Sequence, residues 1–330
     1  MAFSNNLRSY ETERKIHRVL VMHYLEGLKQ SEIATQMNLS TARVNRLIKQ
    51  GREKGMVDIN IKSLFQPLLD VEEQLKKLSS VQQVMVAPTV SDNPEVVLQT
   101  VGEAAATVLL ENLKDGDIIC ITGGKGVGAV VSALKPKRKY DIEVVPATGC
   151  VQGKHYTDVN HVATQLAEKL GGKAYQIHAP LFAETVEQKE MLEGISSVQN
   201  IIDLARKASI GIFGVGSILV GDSSYYDLHP MAKGDRNEIV QSGAAGELLA
   251  HLLDQNGDVC SYELNSKLVA ISPAELSQIP VTIGVASGED KVAPICAVLR
   301  GNHINTLVVD ESTANSVIAH FKLNDERAAG

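Results

Sequence analysis

Three short stretches of the chain share one composition, glycine behind an apolar run. They read ITGGKGVG at residues 121–128, GVGS at 214–217 and SGEDK at 287–291. Glycine lets successive backbone N–H groups approach an anion, and a helix opening behind such a loop adds its partial positive charge. Lys125 and Lys291 add full charges to two of the three. The competing reading is that each glycine only marks a tight turn after a strand. Nucleotide patterns fit the first stretch poorly, because it lacks the GxxxxGK[ST] spacing of a Walker A loop. Gly124-x-Gly126-x-x-Ala129 satisfies a relaxed dinucleotide fingerprint, but it follows a second or third strand and has no acid placed for a ribose.

A second set of residues has the chemistry of nucleic-acid reading. In QSEIATQMNLSTARVNRLIKQ, residues 30–50, Ile33, Ala34, Met37 and Leu39 fit one helical face and Val44, Leu47 and Ile48 a second. Asn38 stands at the turn, where a left-handed conformation is needed, and Ser40 or Thr41 can cap the second helix. That spacing predicts a helix-turn-helix. Thr41, Arg43, Asn45, Arg46 and Lys49 then lie away from the buried face of the second helix. These types bond base edges and phosphates in a major groove, so Ser40, Thr41, Arg43, Asn45, Arg46 and Lys49 form the candidate DNA-reading set. MVDINI, residues 56–61, alternates like a strand and predicts a wing. The bland alternative is a small helical bundle with a solvated basic face. Charge favours the first reading: residues 1–60 carry +4, whereas the remaining 270 carry −11. A basic head on an acidic body suits a head that meets a polyanion.

These groups need elements to hold them. The 330 residues suffice for two domains. With 5 Phe, 8 Tyr and no Trp, the core must be aliphatic, which favours α/β layers over a sandwich. Strands are expected at VQQVMVAP (81–88), DIICIT (117–122), DIEVVP (141–146), AYQIHAP (174–180), ASIGIFGVG (208–216), PVTIGVASG (280–288) and INTLVVD (304–310). Helices are expected at 91–113, 126–135, 159–171, 291–301 and 313–321. AAGELLAHLLDQNGD, residues 244–258, reads as helix or buried strand with a turn at its end. This alternation predicts an open, mostly parallel, doubly wound sheet whose ligands bind beyond the strands' carboxyl ends. Phe65, Leu68, Val71, Leu75 and Leu78 make one amphipathic helix, either packed on its own domain or forming a dimer seam. The expected division is a winged head at 1–62, a linker helix at 63–80 and a ligand domain at 81–330. The four cysteines (Cys120, Cys150, Cys260, Cys296) are scattered, so reduced thiols are expected and neither a metal nor a cofactor. No apolar leader or span is evident, and a cytoplasmic protein is expected.

The order of these motifs resembles the SorC-type bacterial transcriptional regulators, sugar-binding relatives of the deoxyribonucleoside regulator DeoR. LKQSEIATQMNLSTARVNRLI resembles the family's DNA-reading segment, VATQLAEKLGGKAYQIHAPLFAET its helix-strand-APL unit, and GIFGVGSI its glycine loop. SGAAGELLAHLLDQNGD is similar to its GAxGDxxxxxxDxxG pattern, and VASGEDKVAPICAVLRGNHINTLVVDESTANSVI to its C-terminal signature. The resemblance spans nearly the whole chain. It implies a winged helix-turn-helix and a Rossmann-like effector domain related to phosphosugar isomerases and deaminases. It also implies operator DNA as a partner, a phosphorylated sugar or polyol as effector, and a homodimer or homotetramer. Carried over by residue, Thr122, Gly124, Lys125, Gly126 and Lys291 would hold the phosphate, helped by Gly214, Gly216 and Ser217. Glu247 would face the sugar hydroxyls. Two departures stand out. Gly123 replaces the family's usual Trp, which is expected to widen the pocket, and Glu247 replaces its usual Asp. An enzyme is the second expectation, with Glu247 and Asp222 as candidate bases.

Overall fold

The structure, a computed structural model, describes residues 2–57, 66–151, 155–218, 224–228 and 236–329. The chain divides into two units, Met1–Leu64 and Phe65–Gly330.

In the first unit, α1 (Ala2–Leu20) runs on into a π-turn over Val21–Leu25 and is followed by α2 (Gln30–Met37) and α3 (Thr41–Glu53). Ile16, Val19, Leu20 and Met22 close over Ile33, Ala34, Val44, Leu47 and Ile48 to form one apolar core. Asn38 ends α2 in the left-handed region at φ 48°, where its short polar side chain is tolerated. Ser40 caps α3, its hydroxyl accepting from Arg43 N–H at 3.2 Å. The helix α1 went unanticipated, although its buried positions 16, 19 and 20 carry the three-four spacing. The expected wing lies outside the described residues.

The second unit begins with α4 (Gln66–Leu78), followed by β1 (Gln83–Ala87), α5 (Pro94–Asn112), β2 (Ile118–Ile121), α6 (Lys125–Ala133) and β3 (Glu143–Pro146). Next come α7 (Val159–Leu170), β4 (Lys173–Ala174), α8 (Val186–Glu193), α9 (Ser196–Arg206) and β5 (Ile210–Gly214). After α10 (Ser224–Leu228) and α11 (Arg236–Gln241), β6 (Ala244–Leu248) and β7 (His251–Asp254) form an antiparallel hairpin. β8 (Val281–Ala286), α12 (Val292–Arg300), β9 (Thr306–Asp310) and α13 (Glu311–Ala329) complete the domain. The main sheet has seven parallel strands in the order β1-β9-β8-β5-β2-β3-β4.

Period-two alternation sorts the strand side chains between two cores. Ile119, Ile121, Ile210, Ile212, Ile283, Val285 and Val308 face α5, α6 and α7. Cys120, Val145, Phe213, Ala286, Leu307 and Val309 face the other core, with α9, α12 and α13. Val71 and Leu75 of α4 join that second core, so the linker helix packs on its own domain. Phe65, the first residue of its expected stripe, lies outside the described residues.

One expectation differs from the structure, and one open alternative is resolved in favour of strand. AYQIHAP pairs as a strand only at its start. Asn160 of α7 takes over the main chain of Ile177, accepting from its N–H and donating to its carbonyl, both at 2.9 Å. The ambiguous 244–258 segment is the β6–β7 hairpin, with Leu248 opposite His251 and a two-residue turn of Leu249 and Ala250. At the sheet's β1 end, Val86 N–H donates to the Glu72 carboxylate of α4 at 2.9 Å.

Candidate functional site

The chain leaves β2 for β3 and β4 on one side and β5 for β8 and β9 on the other, so the strand order reverses between the neighbours β2 and β5. A crevice opens at such a switch point. The three glycine stretches are the segments that leave β2, β5 and β8, which are adjacent in the sheet. They wall one cavity of about 510 Å³. Thr122, Gly124, Lys125, Gly126, Gly214, Gly216, Glu247 and Lys291 all line it. Ser217 is fully buried and does not.

Two of the loops adopt the same backbone geometry. Gly124 stands before α6 at φ 126° and ψ 156°, and Gly288 before the Glu289–Lys291 turn at φ 102° and ψ 150°. That region is essentially restricted to glycine. Without a side chain at Gly124 to cap it, the first turn of α6 presents Lys125 and Gly126 at the cavity, and the helix N-terminus favours an anion there. The Lys125 ammonium lies 5.9 Å from the centre of the Tyr156 ring. Lys291 is more enclosed and pairs with Asp290 at 3.2 Å.

Gly123 does not widen the pocket. A Cβ there would lie 2.7 Å from the Thr157 carbonyl oxygen, and Gly124 N–H donates to the Tyr156 carbonyl at 2.6 Å. Main chain fills the room that a side chain would take.

Glu247 is fixed by its neighbours. Its backbone pairs with Gly216 through two hydrogen bonds of 2.9 Å. A Cβ on Gly216 would come within 1.9 Å of Glu247 Oε1, so glycine is what lets the carboxyl lie across this strand end. Oε2 accepts from Ala250 N–H at 3.0 Å. Burial pushes the carboxyl up to about 7, against the Ala250 N–H and the Lys291 charge, which favour ionisation. Near neutrality the group therefore exchanges between hydrogen-bond donor and acceptor.

The Leu249–Ala250 turn gave no sequence signal. Both residues have positive φ, 55° and 63°, the combination for which two-residue hairpins normally use Asn-Gly. Both are buried and line the cavity. His251 follows, its Nδ1 3.1 Å from the Leu249 carbonyl. Burial is the main influence holding that imidazole down to about 4.

In the head, Thr41, Arg43, Asn45, Arg46 and Lys49 are all exposed along α3, opposite buried Val44, Leu47 and Ile48. Lys49 reaches Glu53 at 3.8 Å, one turn on. Ser40 is exposed too, but its hydroxyl serves as the helix cap. Asp222 lies outside the described residues. Among the described residues no cluster of three or more His, Cys, Asp or Glu could hold a metal, and no helix is long and apolar enough to cross a membrane.

Comparison with known proteins agrees with both parts. Residues 64–319 match the Sugar-bind family model, which describes a sugar-binding domain. Residues 16–54 match the model of sigma-70 region 4. The chain is 28% identical to the transcriptional regulator LsrR of Escherichia coli (strain K12) over 309 residues, 93% of this chain and 95% of that one. The full-length sorbitol operon regulator SorC from Klebsiella pneumoniae has a similar structure, with TM-score 0.73 and 24% identity over 92% of this chain and 98% of that one. A transcriptional regulator from Streptococcus pneumoniae TIGR4 gives TM-score 0.72 at 23% identity, over 78% and 99%. The chain thus belongs to the Sugar-bind family and is a transcriptional regulator, its sugar-binding domain following a helix-turn-helix head in the sequence.

Proposed function

We propose that the protein regulates a carbohydrate or polyol operon by binding operator DNA through α3 and a phosphorylated sugar or polyol through the cavity. One observation carries the reading. Three loops from adjacent strands bring Lys125, Lys291 and a helix N-terminus to one switch-point cavity that also holds Glu247. The cationic groups suit a phosphate, and Glu247 suits a sugar hydroxyl, as donor or acceptor. Arg43, Asn45 and Arg46 read bases or backbone and Lys49 a phosphate. A reader of two half-sites works as a homodimer or homotetramer in the cytoplasm. The ligand acts only through its difference in affinity between the DNA-competent and DNA-incompetent states.

The test begins by selecting a duplex from a random library with the full chain. Ribose 5-phosphate, glucose 6-phosphate, glucosamine 6-phosphate and sorbitol 6-phosphate are then screened by thermal shift. At least one is expected to raise Tm and to change binding of the selected duplex, while its unphosphorylated form does neither. Arg43→Ala should weaken duplex binding about tenfold and keep the thermal shift. Lys291→Ala should keep duplex binding and lose the shift. Wild-type behaviour of either variant would sink the corresponding assignment.

An enzymatic reading rests on Glu247, a cavity carboxyl that titrates near pH 7 as a general base should. The relatives are named as regulators, and a carboxyl of this kind also serves plain hydroxyl recognition. Product formation from ribose 5-phosphate or glucosamine 6-phosphate would favour the enzyme.

A further inference from the structure

The loop that bears Lys291 is fastened at three points, one at the end of β9 and two in the first turns of α13. Gly288 N–H donates to Thr313 Oγ1 at 2.8 Å and to Asp310 Oδ1 at 3.2 Å. Ser316 Oγ, one turn along, donates to Glu289 Oε1 at 2.6 Å. The anchor is itself rigid. Thr313 Oγ1 donates to Asp310 Oδ1 at 2.7 Å, and Asp310 Oδ2 accepts from Thr313 N–H at 3.0 Å and from Thr89 Oγ1 at 3.3 Å. Asp310 and Thr313 are both buried.

The far side of α13 meets a different element. Val317, Ile318 and Phe321 are buried in the same core as Val71 and Leu75 of α4, and Lys322 Nζ donates to Gln74 Oε1 at 3.4 Å. From Thr313 to Lys322 the helix rises about 14 Å. One continuous helix therefore joins the cavity loop at its first turns to α4, the connector that follows the DNA-reading unit in the chain. A packed helix transmits displacement rather than absorbing it, because interiors are dense and little compressible.

We propose that Thr313 and Ser316 are positioning residues, which fix the Gly288–Lys291 loop to α13 so that the state of the cavity is carried along α13 to the connector helix α4. This rests on reading the cavity as the ligand site. The route is physical rather than merely spatial. Each link is a hydrogen bond or a buried contact, and both ends bias the position of one rigid element. A ligand phosphate that draws in Lys291 pulls on the Gly288 anchor, and α13 shifts against α4.

Hydrogen exchange of the full chain tests this, with Thr313→Val and Ser316→Ala compared with wild type and inorganic phosphate as the probe. Without phosphate, both variants should speed amide exchange roughly three- to tenfold, the loss of about one hydrogen bond. The faster amides should lie in residues 287–291 and also in 66–78, while 143–146 keep wild-type rates as the control for intact folding. With phosphate, wild type should show slower exchange in both segments, and Thr313→Val only in the loop. Wild-type exchange over 66–78 in both variants would overturn the proposal, as would wild-type exchange over 287–291. If phosphate protects nothing in wild type, the ligand reading fails, while the phosphate-free comparison still decides the coupling.

Discussion

The cavity has two unlike sides. The loops after β2 and β8 reach unusual backbone geometry with glycine and bring positive charge, Lys125 and Lys291. The β6–β7 hairpin reaches unusual geometry without glycine, holding Leu249 and Ala250 in the left-handed region. It also carries Glu247 and His251, which burial drives toward their neutral forms. A glycine loop is locally self-sufficient, because its sequence alone allows the conformation. The hairpin depends on the domain around it, whose core buries Leu248, Leu249 and Leu253 and so offsets the turn's strain.

The hairpin's titration should give the largest effect. Glu247 has its folded pKa raised, from 4.5 to about 7, so its contribution to stability is fully present below 4.5 and lost as pH rises through 7. His251 has its folded pKa lowered, from 6.5 to about 4, so its contribution is present above 6.5 and lost as pH falls through 4. The two slopes oppose each other between pH 4.5 and 6.5. Glu247→Gln removes one of them, and stability should then climb by about 3 kcal/mol from pH 4 to 6.5. Urea midpoints across that range would show it; an unaltered pH slope would mean that Glu247 is ordinarily ionised in the fold.

Backbone substitutions sharpen the contrast at smaller size. Gly124→Ala and Gly288→Ala should each cost about 1–3 kcal/mol by denaturant unfolding. Gly288 should cost more, since its N–H is tied to Asp310 and Thr313. Ala250→Gly should act in the opposite direction and stabilise by about 0.5–1 kcal/mol, as relief of the left-handed strain exceeds the added freedom of the unfolded chain. Equal signs at the three positions would erase the distinction between the two sides. Lys125→Ala should matter least, within about 0.5 kcal/mol, because the ammonium is exposed and its contact among the described residues is the Tyr156 ring at 5.9 Å. A larger loss would show that Lys125 holds the loop rather than waiting for a ligand.

The same contrast explains what could be read from sequence. Glycine after an apolar run is a local signal, so the three loops were legible, as was their place beyond parallel strands. The turn of α2–α3 was legible for a similar reason: Asn38 and Ser40 do locally what their residue types allow. The Leu249–Ala250 turn was not, because neither residue favours it and only tertiary packing imposes it. Nor was the filling of the space beside Gly123, where the residue that occupies it, Thr157, lies more than thirty positions away. The shortness of β4 was hidden likewise, since it depends on one Asn160 amide reaching across from α7.

The bond between Glu72 and the outermost described strand has a consequence for company rather than for folding. β1 pairs with β9 alone among the described strands, and an edge of this kind is an open template for another chain's strand. At Val86 the donor that such a strand would need is already taken, and by a carboxylate. An incoming carbonyl meets negative charge where it seeks a proton. The carboxylate thus guards this edge against growing into ribbons of indefinite length. Glu72→Ala would leave the cavity intact and should reveal the cost as turbidity on concentration.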